Sequence, residues 1–156
     1  MTSFDITSAS AFLAKFQEEQ SDFHASHCLS ARHALNAIIT AYHLHEWVWG
    51  ECRDRAELVK KWGLKANGDA KDFEVYLSRF CPALDDARKI ANGTKHFGLN
   101  KIDTGAHHGR FQRSAFSDAF DVSYLWIERD GDQQRAEDFI KELAEFWLKF
   151  FDENVL

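Results

Sequence analysis

Apolar residues recur along most of this chain at three- and four-residue steps, the spacing that gathers side chains on one helix face. The first such run carries Phe12, Leu13 and Phe16 and continues toward Phe23, with Ser8 as its N-cap. A second, longer helix is predicted over about 26–49 from Leu35, Ile38, Ile39, Tyr42 and Trp49, with Gly50 as its stop. A third segment, 55–62, ends at Gly63, and 65–69 reads as a loop around Asn67-Gly68. A fourth helix is predicted over about 71–80, on Phe73, Tyr76, Leu77 and Phe80. Pro82 suits the first turn of a fifth, which carries Leu84, Ala87, Ile90 and Ala91 and is weakened or ended by Asn92-Gly93. Residues 98–114, with their Gly and His content, read as a loop.

After that the period changes to two. Phe120, Val122, Tyr124 and Trp126 alternate with Asp121, Ser123, Leu125 and Ile127, and Asp130-Gly131 follows as a hairpin turn signal. One strand is predicted here, paired with 110–118 or with 133–135. A closing helix over about 136–152 carries the apolar stripe Phe139, Leu143, Phe146, Trp147 and Phe150. The expected fold is mainly α: a bundle of five to six helices with a small β element before the C-terminal helix, in one domain over 1–156.

With 156 residues the chain can bury a core without a disulfide or a metal. Cys28, Cys52 and Cys81 form no CxxC pair, and an odd count suits a reducing compartment. No secretory leader is read at the N-terminus, and no apolar run reaches the ~18 residues of a membrane helix. The expectation is a cytoplasmic protein with no membrane partner. The net charge of −6 argues against tight generic DNA binding. Its distribution is uneven: residues 88–113 hold six bases and one acid, and residues 128–156 hold nine acids and four bases. A basic surface beside an acidic tail is compatible with a polyanion contact. The 14 Phe and 5 Trp residues are more than one small core needs, which predicts a homodimer built on helical surfaces, with Trp147, Phe150 and Phe151 contributing.

Two polar stripes carry the candidate chemistry. On the fifth helix, Asp85, Arg88, Asn92 and His96 are spaced three, four and four apart and share one face if the helix is unbroken, with Lys95 beside them. Histidine supplies an acid or base, arginine a phosphate binder, and the asparagine amide orients one of them. On the long helix, Arg32, Asn36, His43 and Trp47 share a face, with Thr40 between. The fifth-helix stripe is its natural partner, so the two helices are predicted to be core neighbours. The eight histidines invite a metal, but the pairs His24/His27 and His43/His45 do not form HExxH. His43 and His45 point about 200° apart on a helix and cannot share an ion. No metal site and no cofactor are predicted. The bland reading of both stripes is a hydrogen-bond network that fixes helix packing.

Three stretches carry a resemblance: Asn36-Ala-Ile-Ile-Thr-Ala-Tyr-His43-Leu-His-Glu46-Trp47-Val-Trp49, then Cys81-Pro-x-x-x-x-x-Arg88-x-Ile-Ala-Asn92-Gly-Thr-Lys95-His96-Phe97, and the Trp147 helix. Together they resemble an uncharacterised family of small bacterial proteins, which transfers no function. A wider resemblance is to HEPN domains, helical bundles that often dimerise and include ribonucleases of toxin–antitoxin, phage-defence and RNA-processing systems. Their signature is an Arg, four to six residues, then a His. Arg88 and His96 are separated by seven, a departure from that pattern. The resemblance implies an RNA-directed protein, a metal-independent ribonuclease of a toxin or phage-defence system. Arg88 would bind phosphate, His96 would act as acid or base, and Asn92 would orient them. Arg32, Asn36, His43 and Lys95 would bind. RNA, a second copy and a protein encoded nearby are the implied partners. The alternatives are a non-catalytic helical interaction protein whose stripes specify packing, and a small-molecule binder between the helices.

Overall fold

Several helix starts in this chain are set by short polar side chains in the computed structural model, which describes residues 6–65, 67–95, 102–108 and 123–156. The Ser8 hydroxyl accepts from the Ala11 amide at 3.0 Å and opens α1 (Ala9–Ala25). Ser30 does the same for α2 (Ala31–Cys52), accepting from His33. The predicted start near 26 is therefore more than one turn too early. His27 and Cys28 stand at φ 56° and 58°, a left-handed conformation that no helix can include. Gly50 does not stop α2, which runs on to Cys52.

α3 (Ala56–Lys61) closes at Gly63, whose φ of 68° suits glycine. Asp69 and Asp72 form a reciprocal capping box for α4 (Ala70–Ser78). Pro82 opens α5 (Pro82–Lys95), which passes through Asn92-Gly93 without ending there. The final helix is α6 (Ala136–Asn154).

α2 is the central rod. α1, α4, α5 and α6 all pack against it, so α2 and α5 are neighbours as the sequence predicts. Its buried positions wrap about half its circumference: Ala34, Ala37, Ile38, Thr40, Ala41, Tyr42, Leu44, His45, Val48, Trp49 and Cys52. The small residues let its neighbours approach closely. Trp147 of α6 is fully buried and donates its indole N–H to the Ala41 carbonyl at 2.9 Å. Trp49, Trp62, Phe73, Tyr76 and Phe150 stack in a second aromatic cluster between α2, α4 and α6. Phe150 and Phe151 are buried too. The aromatic residues named as dimer contributors thus belong to the core of one chain.

Three short strands form an antiparallel sheet in the order β1 (Thr104–His107), β2 (Tyr124–Arg129), β3 (Asp132–Arg135). β2–β3 is the predicted hairpin. Asp130 at φ 53° and Gly131 at φ 88° fit a two-residue type I′ turn. β1 lies in the stretch read as a loop. Gly105 pairs with Trp126, and the indole covers it so closely that an added Cβ would sit 2.5 Å from the ring. A strand with a glycine at its centre carries little periodic signal. The predicted pairing with 110–118 lies outside the described residues. Arg129 ties the sheet to the helices: it donates to Asp86, Glu142 and Gln134, each at 2.8 Å, and covers the Phe139 ring. Among the described residues no helix is long and apolar enough to cross a membrane.

Candidate functional site

The face of α2 that meets α5 carries Leu35, Ile38, Tyr42, His45 and Trp49, an apolar stripe with two polar tips. Where those tips lie, α2, α4 and α5 leave an open cleft of about 760 Å³. Tyr42 and His45 line it from α2, Glu74 from α4, and Asp85, Arg88 and Asn92 from α5, with Glu46, Lys71 and Arg79 also on its walls. The three-and-four spacing of Asp85, Arg88 and Asn92 does place them together, because the helix continues past Asn92.

Glu74 is the hub. The Tyr42 hydroxyl donates to its Oε2 at 3.0 Å, the His45 Nε2 lies 3.7 Å from the same oxygen, and the Arg88 Nε lies 3.4 Å from Oε1. The His45 Nδ1–H donates to the Tyr42 carbonyl at 2.5 Å, which fixes the ring with Nε2 toward the carboxylate. His45 is buried, whereas the Arg88 and Asp85 side chains keep 29% and 40% of their surface in solvent. Arg88 also grips Asp85 Oδ1 through Nε and Nη2 at 3.0 and 2.8 Å, and Lys89 takes Oδ2 at 2.9 Å.

These contacts set the charges. Partial burial alone would raise the Asp85 carboxyl, but hydrogen bonds from Lys89 and Arg88 outweigh it and hold the group below its ordinary value. The hydrogen bond to Asp85 likewise overcomes desolvation and raises Arg88, so its positive charge is firmly held. Burial, then the charge and hydrogen bonding of Glu74, push the Tyr42 phenol well above its usual range, so it remains a donor at neutral pH.

The α2 stripe behaves differently from the prediction. Its neighbour is α1, not α5. Thr40 accepts from Lys15 at 2.8 Å, and Trp47 stacks on Phe12 at 4.9 Å. Arg32 and Asn36 are exposed, with Arg32 donating to His33, and His43 is half-exposed beside Glu46 at 3.7 Å. The cause is the central position of α2: helices flank it on several sides, so a shared face does not reveal which neighbour it meets. Lys95 ends α5, and His96 lies outside the described residues.

Tyr42, His45 and Glu74 are the site residues that spacing missed. Tyr42 fits an apolar stripe, and Glu74 lies in no motif. The available signal was a histidine on the same face as Ile38, Tyr42 and Trp49, where a polar ring needs a partner. Away from the cleft, two groups of side chains among the described residues have metal-ligand spacing: His24, Cys28 and Glu137, and Glu19, Asp22 and His33. No protein-family model, curated protein or solved structure matches the chain.

Proposed function

We propose that the chain is a HEPN-like, RNA-directed protein: a metal-independent ribonuclease of a cytoplasmic toxin or phage-defence system, acting at the α2–α4–α5 cleft. One observation carries this reading. The Asp85–Arg88–Asn92 face borders an open cleft instead of the core, with an imidazole and a carboxylate at its floor. Cleavage of RNA without a metal needs the 2′-hydroxyl deprotonated, the leaving 5′-oxygen protonated and the phosphate held. Arg88 holds the phosphate through the guanidinium edge that points away from Asp85. Glu74 accepts the 2′ proton, and an imidazole returns a proton to the leaving oxygen. His96, the residue after Lys95, takes that role in the sequence reading. Among the described residues, His45 is the imidazole that lines the cleft. Asn92 orients the substrate. A homodimer offers two such sets, and a protein encoded nearby would restrain them. Arg88→Ala, Glu74→Gln and His96→Ala are each expected to abolish cleavage of single-stranded RNA while circular dichroism remains that of the folded chain.

A second reading has its own observation. Arg88 is already balanced by Asp85 and Glu74, as in a network that fixes helix packing in a non-catalytic interaction protein. Arg88→Ala would then take the guanidinium from two partly buried carboxylates, which keep Lys89 and Tyr42 as partners, at about 1–3 kcal/mol of stability, and the wild type would leave RNA intact.

A further inference from the structure

At the opposite end of α1 from its Ser8 cap, the chain folds back on itself in an unusual way. The Cys28 amide donates to the Phe23 carbonyl at 3.0 Å and the His27 amide to the His24 carbonyl at 2.9 Å. This is the paired bonding of a Schellman motif, whose left-handed position normally belongs to glycine. Here His27 occupies it, and Cys28 follows in the same conformation. The result is that the Cys28 thiol returns over the last turn of α1. Its Sγ stands 3.4 Å from the His24 Nδ1, and that nitrogen stands 3.9 Å from the Glu137 Oε1 on the first turn of α6.

We propose that His24, Cys28 and Glu137 form a binding site for a zinc-class divalent cation, which clips the end of α1 to the start of α6. The three ligand atoms lie within 4.8 Å of one another. A tetrahedral zinc ion with ordinary Zn–S and Zn–N bonds needs its sulfur and nitrogen about 3.5 Å apart, and its nitrogen and oxygen about 3.4 Å apart. The first separation is already met, and the second needs a shift of about half an ångström by a half-exposed glutamate. One imidazole, one thiolate and one carboxylate make a borderline donor set that suits Zn²⁺ or Co²⁺ and disfavours Mg²⁺ or Ca²⁺, which want oxygen alone. Three protein ligands leave the fourth position to water.

Burial, followed by the charge and hydrogen bond of Glu137, raises the Cys28 thiol above its usual value, so a bound cation has a proton to displace there. A divalent ion there replaces that proton and neutralises the carboxylate that opposes thiolate formation. The site shares no residue with the α2–α4–α5 cleft and stands independently of the ribonuclease reading.

The test is cobalt and zinc titration of the full chain after chelator treatment. One Co²⁺ per chain is expected, with the near-ultraviolet charge-transfer absorption of a cobalt–thiolate bond, displaced by Zn²⁺. Zinc is also expected to raise Tm in proportion to the logarithm of its concentration above the dissociation constant. Cys28→Ser, a small change at a partly exposed position, removes the charge-transfer band. His24→Ala and Glu137→Gln each weaken binding by at least about tenfold. His27→Ala leaves affinity unchanged. A band that persists in Cys28→Ser would overturn the proposal by assigning the thiolate to Cys52 or Cys81. Loss of binding confined to Glu19→Gln or Asp22→Asn would overturn it by moving the ion to the group around His33. Absence of any thiolate band in the wild type, or equal affinity in all variants, would do the same.

Discussion

The Tyr42 hydroxyl donates to the carboxylate of Glu74, with Arg88 and His45 3.4 and 3.7 Å from it, and this convergence decides what its removal does. Glu74→Gln keeps the shape but loses the charge that faces Arg88 and His45, at an expected cost of about 1–3 kcal/mol. Tyr42→Phe removes one hydrogen bond and is expected to cost about 0.5–1.5 kcal/mol. Chemical denaturation of both variants beside the wild type checks the order. Asp85 makes a further prediction through pH. Its folded pKa lies below the ordinary value, so its stabilisation is present above about pH 4 and is lost as pH falls below that. Asp85→Asn is therefore expected to flatten the decline of Tm between about pH 5 and about pH 3. An unchanged slope would mean that the Arg88 and Lys89 contacts carry no net linkage. At this scale the α5 half of the site was legible, because Asp85, Arg88 and Asn92 follow helical spacing. The α2 and α4 half was not: Tyr42 and His45 sit on a face that reads as apolar, and no spacing rule connects either to Glu74, about thirty residues away.

Elements were legible where local chemistry decides them. Ser8 acts through its hydroxyl, Pro82 and Asp130-Gly131 through their own backbones, and each marks the boundary predicted for it. Glycine was the least reliable sign, since Gly50 and Gly93 both sit inside helices and Gly105 inside a strand. Tertiary packing overrides the propensity in each case. These glycines separate by substitution. A Cβ at Gly50 meets nothing within 4 Å, so Gly50→Ala is expected to stabilise the chain by about 0.5–1 kcal/mol. Gly131→Ala, at φ 88°, is expected to destabilise the hairpin by about 1–2 kcal/mol. Gly105→Ala places a methyl against the Trp126 ring and is expected to displace it, which tryptophan fluorescence would report. A silent spectrum with unchanged stability would contradict the close β1–β2 approach.

For the whole molecule, the aromatic excess has a simple account within one chain: Trp147, Phe16, Phe23, Phe73 and Phe139 are fully buried, and two Trp-centred clusters join the helices around α2. The homodimer proposal therefore rests on other surfaces. Phe80 and Leu148 are its exposed apolar candidates, at 67% and 46%. Sedimentation that shows a monomer at high micromolar concentration would contradict it. The central claim remains the chemistry of the α2–α4–α5 cleft. Its most direct measurement is cleavage of end-labelled single-stranded RNA by the purified wild-type chain in chelating buffer, below its melting temperature, with Arg88→Ala run beside it. The expected result is cleavage by the wild type to 2′,3′-cyclic phosphate ends, and none by a folded Arg88→Ala. Intact RNA with the wild type, together with a lowered Tm for Arg88→Ala, would contradict the claim and assign the network to helix packing.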